Sequence, residues 1–111
     1  MYTLQFTEPA EHDLLSILTY ITEVLKAPDS AKQLVADFEK QTELLKTAPL
    51  CCALVSDDYL RSKGIRALLV KKYYLFYVVN EEESLVSVIR ILYSRRDWSN
   101  ILRNDNTYIK D

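Results

Sequence analysis

The sequence predicts an α+β fold: an N-terminal strand, an antiparallel two-helix hairpin packed on one face of a mainly antiparallel four-stranded sheet, and a short C-terminal helix. Three observations carry this expectation. In the first half, apolar residues recur every three or four positions over two long stretches. In the second half, the texture switches to β-branched and aromatic runs. The only glycine, Gly64, stands at the switch.

Tyr2, Leu4 and Phe6 alternate with Thr3 and Gln5, which reads as a short first strand. Thr7 follows as an N-cap, with Glu8 and Pro9 in the first turn, where a missing N–H leaves no bond unmade. A first helix is expected from there. Its apolar stripe comprises Ala10, Leu14, Ile17, Leu18, Ile21, Val24 and Leu25, and Lys26, Ala27, Pro28 and Asp29 close it. Pro28 and Asp29 open a second helix with the stripe Ala31, Leu34, Val35, Phe38, Leu45 and Ala48, interrupted by Thr42 and ended by Pro49. The short link makes the pair an antiparallel hairpin.

Residues 50–64 are less periodic, with a helical turn expected around 57–62 and Gly64 as its C-cap. Residues 65–70, 73–79 and 85–93 are three strands, separated by gaps short enough for antiparallel hairpins. Asp97 or Ser99 caps a brief final helix, which reaches Leu102. Residues 1–103 are expected to form the domain and 104–111 a polar tail. The helix hairpin needs a partner for its apolar stripes, and one sheet face supplies it, leaving the other face partly open.

At 111 residues the chain suits one compact domain, and 49% hydrophobic with 27% charged residues is a globular composition. No stretch reaches the roughly 20 apolar residues needed to span a bilayer, and Met1 to Phe6 lacks the features of a leader, so a cytoplasmic location without membrane association is expected. Cys51 and Cys52 are neighbours, which argues against a stapling disulfide, and they read as two small buried residues after Pro49. With His12 as the only imidazole and no second cysteine pair, no zinc site and no cofactor are expected. Net charge is −2, yet residues 1–50 carry four Lys against eight acids, while 51–111 carry ten Lys or Arg against eight. A locally basic surface is therefore compatible with an acidic protein.

The opening "FTEPAEHDLLSILTYI", the central "YLRSKGIRALLVKKYYLFYVV" and the closing "IRILYSRRDW", in this order, resemble the RelE/ParE superfamily of toxins from bacterial type II toxin-antitoxin modules. The closing motif of that family runs Arg, an aliphatic pair, His or Tyr, a spacer, basic residues and Asp. Arg90, Ile91, Leu92, Tyr93, Ser94, Arg95, Arg96 and Asp97 hold those places here. The resemblance implies a small toxin held silent by a cognate antitoxin. RelE-like members cut messenger RNA on the ribosome, ParE-like members poison DNA gyrase, and the arginine-rich closing motif is more similar to the ParE-like and plasmid-stabilisation branch. The expected function is therefore a ParE-like gyrase poison, the alternatives being a RelE-like endoribonuclease or an inactive antitoxin-binding relative.

A metal-independent ribonuclease must move a 2′-OH proton, stabilise charge on phosphorus and protonate the leaving oxygen. For that alternative the candidates are Arg66 and Arg90 as phosphate-binding guanidinium groups and Tyr93 as proton shuttle. The basic residues that RelE-like nucleases place near Tyr74 and Ser94 are missing, as is a histidine at Tyr93. Target- or antitoxin-binding candidates are Arg61, Lys63, Lys71, Lys72, Arg95, Arg96 and Trp98.

Plainer roles compete with each. Arg66 and Arg90 alternate with apolar neighbours, so both fit the less buried sheet face, solvated or paired with an acid. Arg95 and Arg96 fit an ion pair with Asp97. Trp98, Tyr73, Tyr74 and Tyr77 fit packing, and His12 fits a helix surface.

Overall fold

The structure is a computed structural model and describes residues 1–104. Of the expected tail, 104–111, Asn104 instead ends the last helix and residues 105–111 lie outside the described residues. A strand β1 (Thr3–Phe6) leads into helix α1 (Glu8–Thr19), which widens into a π-helical turn, Tyr20–Val24, before helix α2 (Pro28–Thr47). After a short helix α3 (Asp58–Ser62) come strands β2 (Arg66–Val70), β3 (Tyr73–Asn80) and β4 (Leu85–Tyr93), and helix α4 (Trp98–Asn104) follows. The sheet order is β1-β4-β3-β2, with β1 parallel to β4 and the other pairs antiparallel.

Local chemistry sets the boundaries. The Thr7 hydroxyl accepts a hydrogen bond from the Ala10 N–H at 3.3 Å, and Pro9 occupies the first turn, so α1 starts where the chain leaves β1. Asp57 caps α3 in the same way, accepting from the Leu60 N–H at 3.1 Å. Gly64, at φ 78°, ends α3: its N–H reaches the Arg61 carbonyl, and the Ile65 N–H reaches that of Leu60. This left-handed cap needs a residue without Cβ strain.

The first helix departs from expectation at its end. The Leu25 N–H bonds the Tyr20 carbonyl at 3.1 Å, a five-residue step that expands the last turn and rotates side chains off the apolar stripe. Val24 and Leu25, expected against the core, are exposed instead, as is Tyr20. Lys26, at φ 55°, then reverses the chain into α2.

The main core lies between the hairpin and one sheet face, where Ala10, Ile21, Ala31, Leu34, Phe38 and Leu45 meet Leu75, Tyr77, Val86, Val88 and Ile91. Thr42, the polar interruption in the stripe of α2, is buried, and its hydroxyl donates to the Glu39 carbonyl at 3.1 Å. The second face, expected to be partly open, is covered over β3 and β4. Leu60 of α3, Leu102 of α4, Val55 and Ile65 close over Phe76, Ile89 and Leu92, with Trp98 and Ile101 packed alongside. The short C-terminal helix is therefore a lid on the sheet, because β3 and β4 are apolar on both faces and each face must be covered.

The sheet is irregular at one point. Opposite the step from Phe76 to Tyr77, β4 carries Ile89 as an extra residue, a β-bulge that changes which side chains of β4 face which layer. Beyond the bulge β4 has no strand on its outer side among the described residues, since β1 ends at Phe6 opposite Val88.

Candidate functional site

The unpartnered end of β4 is completed by α1 rather than by a strand. Thr7 donates from its backbone N–H to the Val88 carbonyl and from its hydroxyl to the Ile89 carbonyl. Two turns later Asp13 Oδ2 accepts the Ile91 N–H at 3.0 Å. The same carboxylate grips Arg90: Nε donates to Oδ2 at 2.6 Å and Nη2 to Oδ1 at 3.0 Å. Both side chains are less than a fifth exposed, so the pair is a largely desolvated fork that pins α1 to the edge of β4. Arg90 is thus turned toward α1 and paired with an acid, one of the two plainer roles its alternation suggested.

Arg66 is also committed. It begins β2, and its Nη1 donates to the Cys52 carbonyl in the segment before α3. Tyr93 lies at the far end of β4, paired in register with Tyr73, whereas Arg66 pairs with Tyr77 on the same strand. Four residues of extended strand separate those positions, about 13 Å. The three nuclease candidates are not brought together.

What the fold does assemble is a groove of about 770 Å³ between the π-helical turn, the start of β3 and the end of β4. Its apolar wall is Ile17, Leu25 and Ile91; Tyr20, Tyr73 and Tyr93 line it with phenols, and Lys72 and Arg96 bring positive charge to its rim. Tyr73 and Tyr93 meet edge to face with ring centroids 5.9 Å apart. Burial, then the neighbouring phenol of Tyr93, pushes the Tyr73 hydroxyl above its usual range, so it stays a neutral donor at neutral pH. The Ser94 N–H donates to the Lys72 carbonyl at 2.8 Å, fixing the turn after β4 against the β2–β3 turn. This is how Lys72 and Arg96, distant in sequence, come to share a rim. Neither forms an ion pair among the described residues, and Asp13, the one carboxylate in the lining, is neutralised by Arg90.

A second, shallower groove of about 580 Å³ lies on the other side of the same ion pair, lined by Thr7, Glu8, Pro9, His12 and Arg90. His12, remote from the closing motif in sequence, is beside Arg90 in space. The signal available was Asp13, the next residue and an acid on the helix surface, but nothing in the sequence links it to a partner 77 residues away.

The remaining candidates are scattered. Lys71, at φ 55° in the β2–β3 turn, reaches Asp37 of α2 at 3.5 Å. Arg61 and Lys63 sit at the opposite end of β2, and Lys63 lies 5.5 Å over the Tyr59 ring. The basic residues in the middle of the chain therefore do not form one patch. Arg95 and Arg96 are exposed and make no ion pair with Asp97. That carboxylate accepts instead from Asn100 Nδ2 at 2.6 Å and Ser99 Oγ at 3.3 Å, at the start of α4. Trp98 packs against Phe76 at 5.3 Å and Tyr74 at 6.1 Å between ring centroids, so its main contacts are with the second core. At the other end of α4, Arg103 and Asp57 form a two-pronged pair at 2.9 Å each, and this holds the Asp57 carboxyl below its ordinary range.

Among the described residues no group of three or more potential ligands is placed to hold a metal ion, and no helix is long and apolar enough to cross a membrane.

A family model described as the ParE toxin of type II toxin-antitoxin systems, parDE, matches residues 4–98. No curated protein matches the sequence. Among solved structures, a chain of the chromosomal ParDE toxin-antitoxin system from P. aeruginosa is similar at a TM-score of 0.66 and 22% identity, over 84% of this chain and 96% of that one. A chain of the RelBE2 toxin-antitoxin complex of Mycobacterium tuberculosis is similar at 0.56 and 24% identity, over 83% and 96%. A chain of the intact E. coli RelBE complex is similar at 0.54 and 20%, over 86% and 100%.

Proposed function

Because the chain belongs to the ParE toxin family of type II toxin-antitoxin systems, we propose that this toxin arrests growth without catalysis, by poisoning DNA gyrase, and that a cognate antitoxin keeps it silent. One observation carries the choice between targets. The two arginines expected to serve a nuclease are occupied, Arg90 forked to Asp13 and Arg66 held on the Cys52 carbonyl, and neither lines the groove that contains Tyr93. A phosphorane transition state needs positive charge and a proton shuttle converging within hydrogen-bond reach of one phosphate, and Arg66, Arg90 and Tyr93 do not converge in that way.

The groove between the π-helical turn and β4 supports a docking role. Its Lys72 and Arg96, which form no ion pair among the described residues and are set over exposed Tyr20 and an apolar wall, suit contact with a target surface that carries negative charge, such as an enzyme holding DNA. The antitoxin has an independent place to bind. Strand β2 is an edge, its outer side carrying among the described residues only the single bridge from Leu54 to Arg66, and Leu69 on it is exposed. An added strand there would satisfy open backbone groups and cover that leucine.

Pulse labelling after induced expression tests the reading. Early loss of DNA synthesis with translation intact is expected; early loss of translation with cleaved messages would favour the nuclease and refute it.

A further inference from the structure

Outside the groove, one cluster of reactive groups has no role in the proposed function. Cys51 and Cys52, expected to be buried, lie after α2 with Cys51 exposed and Cys52 half-buried, and their sulfur atoms are 3.6 Å apart. Both thiols are free. Around them the Tyr77 hydroxyl donates to the Pro49 carbonyl at 2.8 Å, and Arg66 donates to the Cys52 carbonyl. We infer that Cys51 and Cys52 form a two-thiol modification site that reacts with low-molecular-weight disulfides and closes to a reversible disulfide between neighbouring residues.

Accessibility orders the chemistry. The exposed Cys51 thiolate attacks one sulfur of the small disulfide, forming a mixed disulfide and expelling one thiolate. Cys52 loses its proton to solvent and attacks the Cys51 sulfur, and the second small thiol leaves. Two protein thiols are oxidised by two electrons and one small disulfide is reduced to two thiols, so the exchange balances. The sulfurs must close from 3.6 Å to about 2.05 Å, which side-chain rotation and a small backbone change supply. Neighbouring Cα atoms are only about 3.8 Å apart, less than an ordinary disulfide spans, so the ring is strained and easily reduced. That makes it a reversible modification rather than a staple. Closure also shifts the Cys52 backbone and with it the carbonyl that tethers Arg66 at the start of β2.

Oxidised glutathione added to the folded protein, followed by intact-mass measurement over time, tests this. Wild type is expected to end lighter by two hydrogens with no retained adduct, and to return to its starting mass with dithiothreitol. Cys52→Ser is expected to hold one glutathione. The inference is overturned if wild type retains the adduct as fully as Cys52→Ser does, if it forms disulfide-linked dimers instead, or if neither protein reacts.

Discussion

Replacing Asp13 by Ala should destabilise the protein by about 2–3 kcal/mol, more than any other single change on the surface of α1. The figure follows from what the carboxylate holds. It accepts three hydrogen bonds, two from Arg90 and one from the Ile91 N–H, and the pair is only 17% and 14% exposed at its side chains. Breaking a fully buried pair by removing one partner leaves an uncompensated charge and typically costs about 3–5 kcal/mol, and partial exposure lowers that here. Arg90→Ala leaves Asp13 with its backbone donor and some water, so about 1–2 kcal/mol is expected. A double-mutant cycle should return a coupling of about 1–2 kcal/mol. Urea denaturation measures all four proteins, and Asp13→Ala should lower Tm by about 8–12 °C for a domain of this size. If both single variants unfold within about 0.5 kcal/mol of wild type and Arg90→Ala alone abolishes toxicity, Arg90 is a working cation and the structural assignment fails.

Lys72→Glu combined with Arg96→Glu should abolish growth arrest while changing stability by less than about 0.5 kcal/mol, because neither residue forms an ion pair among the described residues; plating efficiency and denaturant midpoints read the two effects separately. Trp98→Ala should cost about 2–3 kcal/mol in urea, since the indole seals α4 onto Phe76 and Tyr74 but keeps some exposure. The Asp57 carboxyl is held below its ordinary value of about 3.9 by Arg103 and the Leu60 N–H, so its contribution is complete above that pH and disappears as pH falls through the folded value. Acid titration followed by the fluorescence of the sole tryptophan should therefore show a less steep loss of stability in Arg103→Leu than in wild type.

Much of this architecture was legible because local rules and packing agree. The apolar stripe of α2, the cap at Thr7, the turn at Gly64 and the three strands of the second half follow from side-chain period and turn chemistry alone. The misses share a different cause. The π-helical turn is a change of backbone hydrogen bonding that leaves the composition of Tyr20, Ile21, Thr22, Glu23 and Val24 looking helical. The pairing of Asp13 with Arg90 depends on β1 ending early beside β4, and that parallel register is a property of the assembled sheet. Closure of the second face by α4 brings Trp98 against Phe76 and Tyr74, contacts that depend on where the last helix docks. For the same reason the groove could not be read from sequence: Tyr20, Lys72, Tyr73, Tyr93 and Arg96 come from three separate segments.

The measurement closest to the central claim is a supercoiling and DNA-cleavage assay with purified gyrase and purified toxin. The account predicts loss of supercoiling with accumulation of cleaved DNA, abolished by the Lys72→Glu and Arg96→Glu pair and retained, at a temperature where it is folded, by Arg90→Ala. Unchanged gyrase activity alongside cleavage of messenger RNA on translating ribosomes would contradict it.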